Sequence, residues 1–85
     1  MYVALGKEKS VFSKDIVAIF DLDITSQSHL TRRFLREAEK AGNVENTAED
    51  IPKSFIVCRQ KEKNVVYLSQ MATAALAKRL QVKEK

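Results

Sequence analysis

The chain has 85 residues, 45% of them hydrophobic, with 15 Lys and Arg against 11 Asp and Glu, a net charge of +4. That length holds one small domain and excludes a doubly wound enzyme core carrying a cap domain. It contains no apolar run of about 18 residues that would span a membrane, and no basic N-terminal region leading into a long apolar stretch, so no secretory signal is expected.

The positive balance is compatible with nucleic acid without requiring it. A monomer this small buries only about 60–65% of the surface its unfolded chain exposes. The apolar share is generous for so small a surface, so association with further copies is expected. Cys58 is the single cysteine and has no partner for an internal disulfide. Its apolar strand context predicts a small buried hydrophobe in a reducing cytoplasm. A catalytic thiol would want a basic partner, and His29 is the only histidine.

In chain order, Tyr2–Leu5 is expected as a short strand ended by Gly6. Lys7–Lys9 is a polar turn, and Val11–Ser13 completes a hairpin. Asp15–Leu22 is a third strand, covered on both faces. Strict alternation puts Ile16, Ala18, Phe20 and Leu22 on one face, with Val17 and Ile19 on the other. The cluster Thr25-Ser26-Gln27-Ser28 offers hydroxyls to cap a helix. That helix runs to about Ala41, where Gly42-Asn43 supply a left-handed stop.

Residues 43–50 read as a polar, partly acidic loop, left at Pro52. Lys53–Arg59 and Asn64–Leu68 are β-rich and flank Gln60-Lys61-Glu62-Lys63, a hairpin with a charged tip. Ser69 is a candidate cap for a last helix from Gln70 to about Val82, with Ala72, Leu76 and Leu80 on one flank. Residues 1–82 thus form one domain, and 83–85 fray. The order β-β-β-α-β-β-α predicts an α+β fold, a small antiparallel sheet with two helices.

Two groups of residues invite a chemical reading. Asp21-x-Asp23-x-Thr25 follows an apolar strand and matches the nucleophile motif of haloacid-dehalogenase-type phosphatases. There the first Asp attacks phosphorus, the second serves as acid/base and Mg²⁺ shields charge. The chain is too short to carry the remaining catalytic groups, so these carboxylates are expected to end a strand near a helix N-terminus. Neither a catalytic nor a metal site is expected, and His29 lacks ligand partners at helical spacing. No cofactor and no small-molecule substrate are expected.

The second group is Arg32, Arg33, Arg36 and Lys40 on one side of the first long helix, opposite Leu30, Phe34, Leu35, Ala38 and Ala41. Glu37 and Glu39 can pair with Arg33 and Arg36 and leave an excess of cations. Guanidinium forks match phosphate oxygens, which suits backbone binding to nucleic acid. Tyr2, Phe12, Phe55 and Tyr67 lie within strands and read as core or subunit interface.

Several segments carry a further resemblance by their order and spacing. They are Met1-Tyr2-Val3-Ala4-Leu5-Gly6, residues 13–21, Ile51-Pro52-Lys53-Ser54-Phe55-Ile56-Val57, Val65-Val66-Tyr67-Leu68-Ser69 and Ala77-Lys78-Arg79-Leu80. Over roughly positions 1–80 the chain resembles the RemB branch of the RemA/RemB extracellular-matrix regulators. The resemblance implies a cytoplasmic ring of identical subunits that binds duplex DNA and controls transcription of matrix or biofilm genes. It also implies DNA contacts at Arg33, Lys14 and Lys53, with Arg32 and Arg36 in support. The chain departs from RemA in having Lys at positions 14 and 53 and Glu49-Asp50 shortly before Lys53. The alternative is an interaction module that joins or modulates RemA-like regulators without touching DNA.

Overall fold

The computed structural model describes residues 1–6, 9–25 and 28–81. The polar turn at Lys7 and Glu8, the capping hydroxyl of Ser26 with Gln27, and the C-terminal end from Val82 lie outside the described residues. Strands β1 (Tyr2–Ala4) and β2 (Ser10–Phe12) form a two-stranded antiparallel ribbon. A 3₁₀ turn, Ser13–Asp15, leads into β3 (Ile16–Asp21). A single helical turn, α1 (Leu22–Thr25), precedes α2 (His29–Lys40). Then come β4 (Val44–Asn46), β5 (Ser54–Gln60), β6 (Lys63–Ser69) and α3 (Thr73–Gln81). The main sheet has the order β3-β5-β6-β4. The fold is α+β, as expected.

The sheet is antiparallel except for β4, which joins β6 in parallel register. Sequence pattern assigns this segment to a loop, because Glu45 and Asn46 are polar and the run is three residues long. Its strand geometry comes from pairing. Val66 N–H donates to the Asn43 carbonyl at 2.8 Å, and Thr47 N–H donates to the Leu68 carbonyl at 2.9 Å. Thr47 Oγ1 reaches that same Leu68 carbonyl at 2.7 Å.

A register shift between Ile16 and Ala18 corrects the expected alternation in β3. Ile16 pairs with Cys58, and Ile19 with Ile56. A bulge places one extra residue on one strand, so residues on either side of it change parity. Ile16 and Ile19 therefore share a face and pack on the core, while Ala18 and Phe20 face the other way. The bulged residue, Val17, is left exposed.

The core lies on the Ile56 and Cys58 face of β5. Val3, Leu5, Val11, Ile56, Cys58, Tyr67 and Leu76 are buried there, with Leu80 and Met71 packed against them. Leu76 fixes α3 on this face. Its helix starts at Thr73, later than Gln70, because Ser69 is engaged elsewhere and the Ala72 carbonyl accepts the first helical bonds. Ser69 Oγ donates to the Leu5 carbonyl and accepts the Met71 N–H at 3.0 Å. Ser54, opposite Ser69 in the register, donates to the Met71 carbonyl at 2.8 Å. Two buried hydroxyls are thus satisfied, which avoids a penalty of about 1–3 kcal/mol for each unpaired group.

Helix α2 lies over the opposite face. Ser28 caps it, accepting the Thr31 N–H at 3.4 Å. At its end Gly42 takes φ 76°, Gly42 N–H reaches the Glu39 carbonyl and Asn43 N–H the Ala38 carbonyl. That pattern closes the helix where the Gly42-Asn43 pair predicts. Under the helix Phe20 stacks on Phe55, ring centroids 4.9 Å apart.

Two expectations follow. A Cβ on Gly6 would stand 2.6 Å from the Thr47 carbonyl oxygen. Gly6→Ala must push two backbone segments apart, so thermal or denaturant unfolding should show a loss of roughly 1–3 kcal/mol. Cys58 is fully buried, and burial pushes its thiol from 9.0 up to about 11, with Asp15 adding to the rise and Lys9 partly offsetting it. The unfolded chain ionises first as pH rises, so stability tied to Cys58 is whole below about 9 and falls between about 9 and 11. Cys58→Ala should flatten that part of the stability curve relative to the parent. Native Cys58 should react slowly with a thiol reagent and quickly in denaturant.

Candidate nucleic-acid interface

The polar face of α2 is formed as its sequence spacing requires. Arg32, Arg33 and Arg36 are exposed along it, with Lys40 one turn further on. Successive residues turn by about 100°, which gathers these four within roughly one quadrant and a little more. Arg33 Nε approaches Glu37 Oε2 at 3.3 Å, the expected i,i+4 pair. Both partners are exposed, so the pair contributes little to stability and opens readily to a phosphate. Among the described residues the expected Arg36–Glu39 pair is not formed.

Lys14 lies on the 3₁₀ turn before β3, with its Nζ 5.5 Å from the centroid of the Phe12 ring. Phe12 itself stacks on Tyr2, centroids 4.3 Å apart and planes 12° apart. These two aromatics are exposed, whereas Phe55 and Tyr67 are buried. The exposed stack holds the Lys14 ammonium by a cation–π contact.

Lys53 is held by its backbone, its N–H donating to the Ser69 carbonyl at 2.8 Å and its carbonyl accepting the Leu22 N–H at 2.9 Å. Its side chain shares a notch with Asp23, Asp50, Ile51, Pro52 and Gln70. Gln70 Oε1 accepts the N–H groups of Glu49 and Asp50, which fixes this acidic loop beside Lys53. Carboxylates lining the same notch lower the positive potential that a phosphate would meet there.

The structure therefore does not bring Lys14 and Lys53 together. Ile16 pairs near the end of β5, whereas Lys53 directly precedes its start. Seven residues of β5 separate the two lysines, about 20 Å at the usual strand rise. Any phosphate track joining them on one protomer must cross that distance.

Asp21 and Asp23 lie on two different elements. Asp21 is the last residue of β3, opposite Ser54, while Asp23 sits on α1. The helical turn begins directly after Asp21 and takes Asp23 off the pleat. Among the described residues no group of three or more His, Cys, Asp or Glu side chains is arranged to hold a metal ion.

One feature of the apolar side of α2 is not visible in the sequence. None of its residues is buried, and Leu30 and Phe34 remain 71% and 41% exposed. Together with Phe20, Thr31, Phe55 and Val57 they line an open apolar cleft between helix and sheet. Periodicity identifies the stripe but not that the sheet leaves it partly uncovered.

No helix of the described residues is long and apolar enough to cross a membrane. A search of curated proteins finds no match. A family model described as RemA-like, extracellular matrix regulatory protein A-like, covers residues 2–80 with the strands and helices just described, and the chain belongs to that family.

Proposed function

We propose that the protein is a cytoplasmic, DNA-binding transcriptional regulator of matrix or biofilm genes, of the RemB-like branch, acting as a ring of identical subunits. Arg32, Arg33, Arg36 and Lys14 bind phosphates of duplex DNA, and Lys53 is the weakest of the set because Asp23 and Asp50 line the same notch. No reaction is catalysed and no cofactor is used. Helix α2 carries the reading: it exposes a basic face to solvent and an apolar stripe that its own subunit does not bury.

One subunit offers few phosphate contacts. Repeating them around a ring raises the effective concentration of each successive contact and makes binding cooperative and steeply salt-dependent. The contacts are to backbone rather than base edges, so selectivity comes from DNA shape. The acidic neighbours of Lys53 favour a second reading, a module that joins or modulates RemA-like regulators without holding DNA.

Light scattering coupled to gel filtration should give a mass of several chains at micromolar concentration. Leu30→Asp and Phe34→Asp alter exposed positions, so each should keep the protomer folded and lower that mass; an unchanged mass removes α2 from the interface. Titration of a duplex across several salt concentrations should show Arg33→Ala weakening binding at least tenfold. Its log–log salt slope should flatten by roughly 0.9 for each phosphate the variant no longer neutralises. Arg79→Ala, on α3, should bind like the parent. A parent protein that binds no duplex at low salt supports the second reading.

For Asp21, Asp21→Asn should leave hydrolysis of a chromogenic phosphate ester with Mg²⁺ at background, as for the parent. Turnover that the substitution abolishes would reinstate the phosphatase motif.

A further inference from the structure

His29 opens α2 and is exposed. It is the only histidine of the chain. Turning by about 100° per residue puts His29 between Arg36 and Lys40 in the view down the helix axis, with Arg32 and Arg33 to either side. Arg33, Arg36 and Lys40 follow His29 at i+4, i+7 and i+11, and all are exposed. This line is about 16 Å long at the usual helical rise, enough to span successive phosphates of one strand. It lies on the other side of the helix from Leu30, Thr31 and Phe34, which line the apolar cleft.

The imidazole of His29 makes no hydrogen bond or ion pair among the described residues. Arg33, by contrast, is engaged by Glu37 at 3.3 Å. On the elements around α2 the charged groups are Asp21 on β3, Asp23 on α1, Lys53 directly before β5, Arg59 on β5 and Glu45 on β4. On α2 itself Glu37 and Glu39 stand among the cations. Carboxylates, Lys and Arg ordinarily keep their charges from about pH 5.5 to about pH 8, the window in which a histidine changes its own.

We propose that His29 is a further phosphate contact of α2, continuing the line of Arg33, Arg36 and Lys40, and that DNA binding takes up a proton there. This contact rests on the DNA-binding reading above and adds to it a dependence on pH. An imidazolium donates from both ring nitrogens, whereas a neutral imidazole offers one donor and no charge. A phosphate beside the ring favours the protonated form. The helix dipole opposes a cation on the first turn, and the same phosphate relieves that opposition. Because the complex binds the proton more tightly than the free protein, affinity is highest at the acid end and falls as pH rises. In an assembly the effect is repeated by every subunit that touches the duplex.

The test is a fluorescence-anisotropy titration of one labelled duplex at about pH 5.5 and about pH 8, each at several salt concentrations. The parent should bind about threefold or more tighter at the acid pH, with a log–log salt slope steeper by roughly 0.9 for each added phosphate contact. His29→Gln should lose that pH dependence and bind throughout as the parent does at the alkaline pH. His29→Lys should lose it too, but bind throughout as the parent does at the acid pH. Position 29 is exposed, so both variants should melt with the parent. Equal affinity of the parent at the two pH values, or a pH dependence that His29→Gln retains, overturns the contact. A mass that changes with pH in the parent but not in His29→Gln puts the histidine at a subunit contact and overturns it as well. If Arg33→Ala weakens binding while His29→Gln behaves as the parent, the DNA reading stands and the His29 contact falls alone. If the parent binds no duplex at either pH, both fall.

Discussion

Strand β5 is the constraint on which the molecule depends, because it is covered on both faces and hydrogen-bonded on both edges. Its Ile56 and Cys58 side faces the core with Leu5, Val11, Tyr67 and Leu76. Its Phe55 and Val57 side meets Phe20 and α2. Strands β3 and β6 flank it, and β6 carries β4 beyond. A strand with two apolar faces requires something on each, which is why the short chain folds as a sandwiched sheet rather than a half-solvated one. At the start of β5, the paired hydroxyls of Ser54 and Ser69 tie the sheet to Leu5 and Met71, segments far apart in sequence.

The two faces are not covered equally. Beside the core, β1, β2 and α3 bury Val3, Leu5, Val11 and Leu76 completely or nearly so. Over the other face α2 leaves Phe20, Leu30 and Phe34 partly in water. Burying such side chains yields about 25 cal/mol per Å² of apolar surface, so a protomer that leaves them exposed gains by association. The basic stripe of α2 lies on its opposite side, so covering the apolar stripe does not cost the arginines. A single amphipathic helix thus presents an exposed apolar stripe and an exposed basic stripe on separate sides.

Electrostatics adds a direction to this arrangement. Strand register, not sequence proximity, brings Asp15 of the 3₁₀ turn beside Lys61 and Lys63, and gathers Asp23, Asp50 and Lys53 at the far end. The positive net charge of the chain is therefore unevenly spread.

Local pattern carried much of this protein into view. The Gly42 stop, the Ser28 cap, the opposed apolar and basic sides of α2 and the charged β5–β6 hairpin all follow from spacing and residue type within one element, where the physics is local. Other features were decided by distant partners. Strand β4 exists because β6 offers hydrogen bonds to a polar segment of three residues. The β3 bulge exists because Ile16 and Ile19 must both meet the core opposite Cys58 and Ile56. Ser69 is drawn from helix capping to the Leu5 carbonyl. The candidate site divides in the same way. The α2 arginines were legible, since a helix face is set by its own sequence. The separation of Lys14 from Lys53, and the company each keeps, was not, because it depends on which ends of which strands lie side by side.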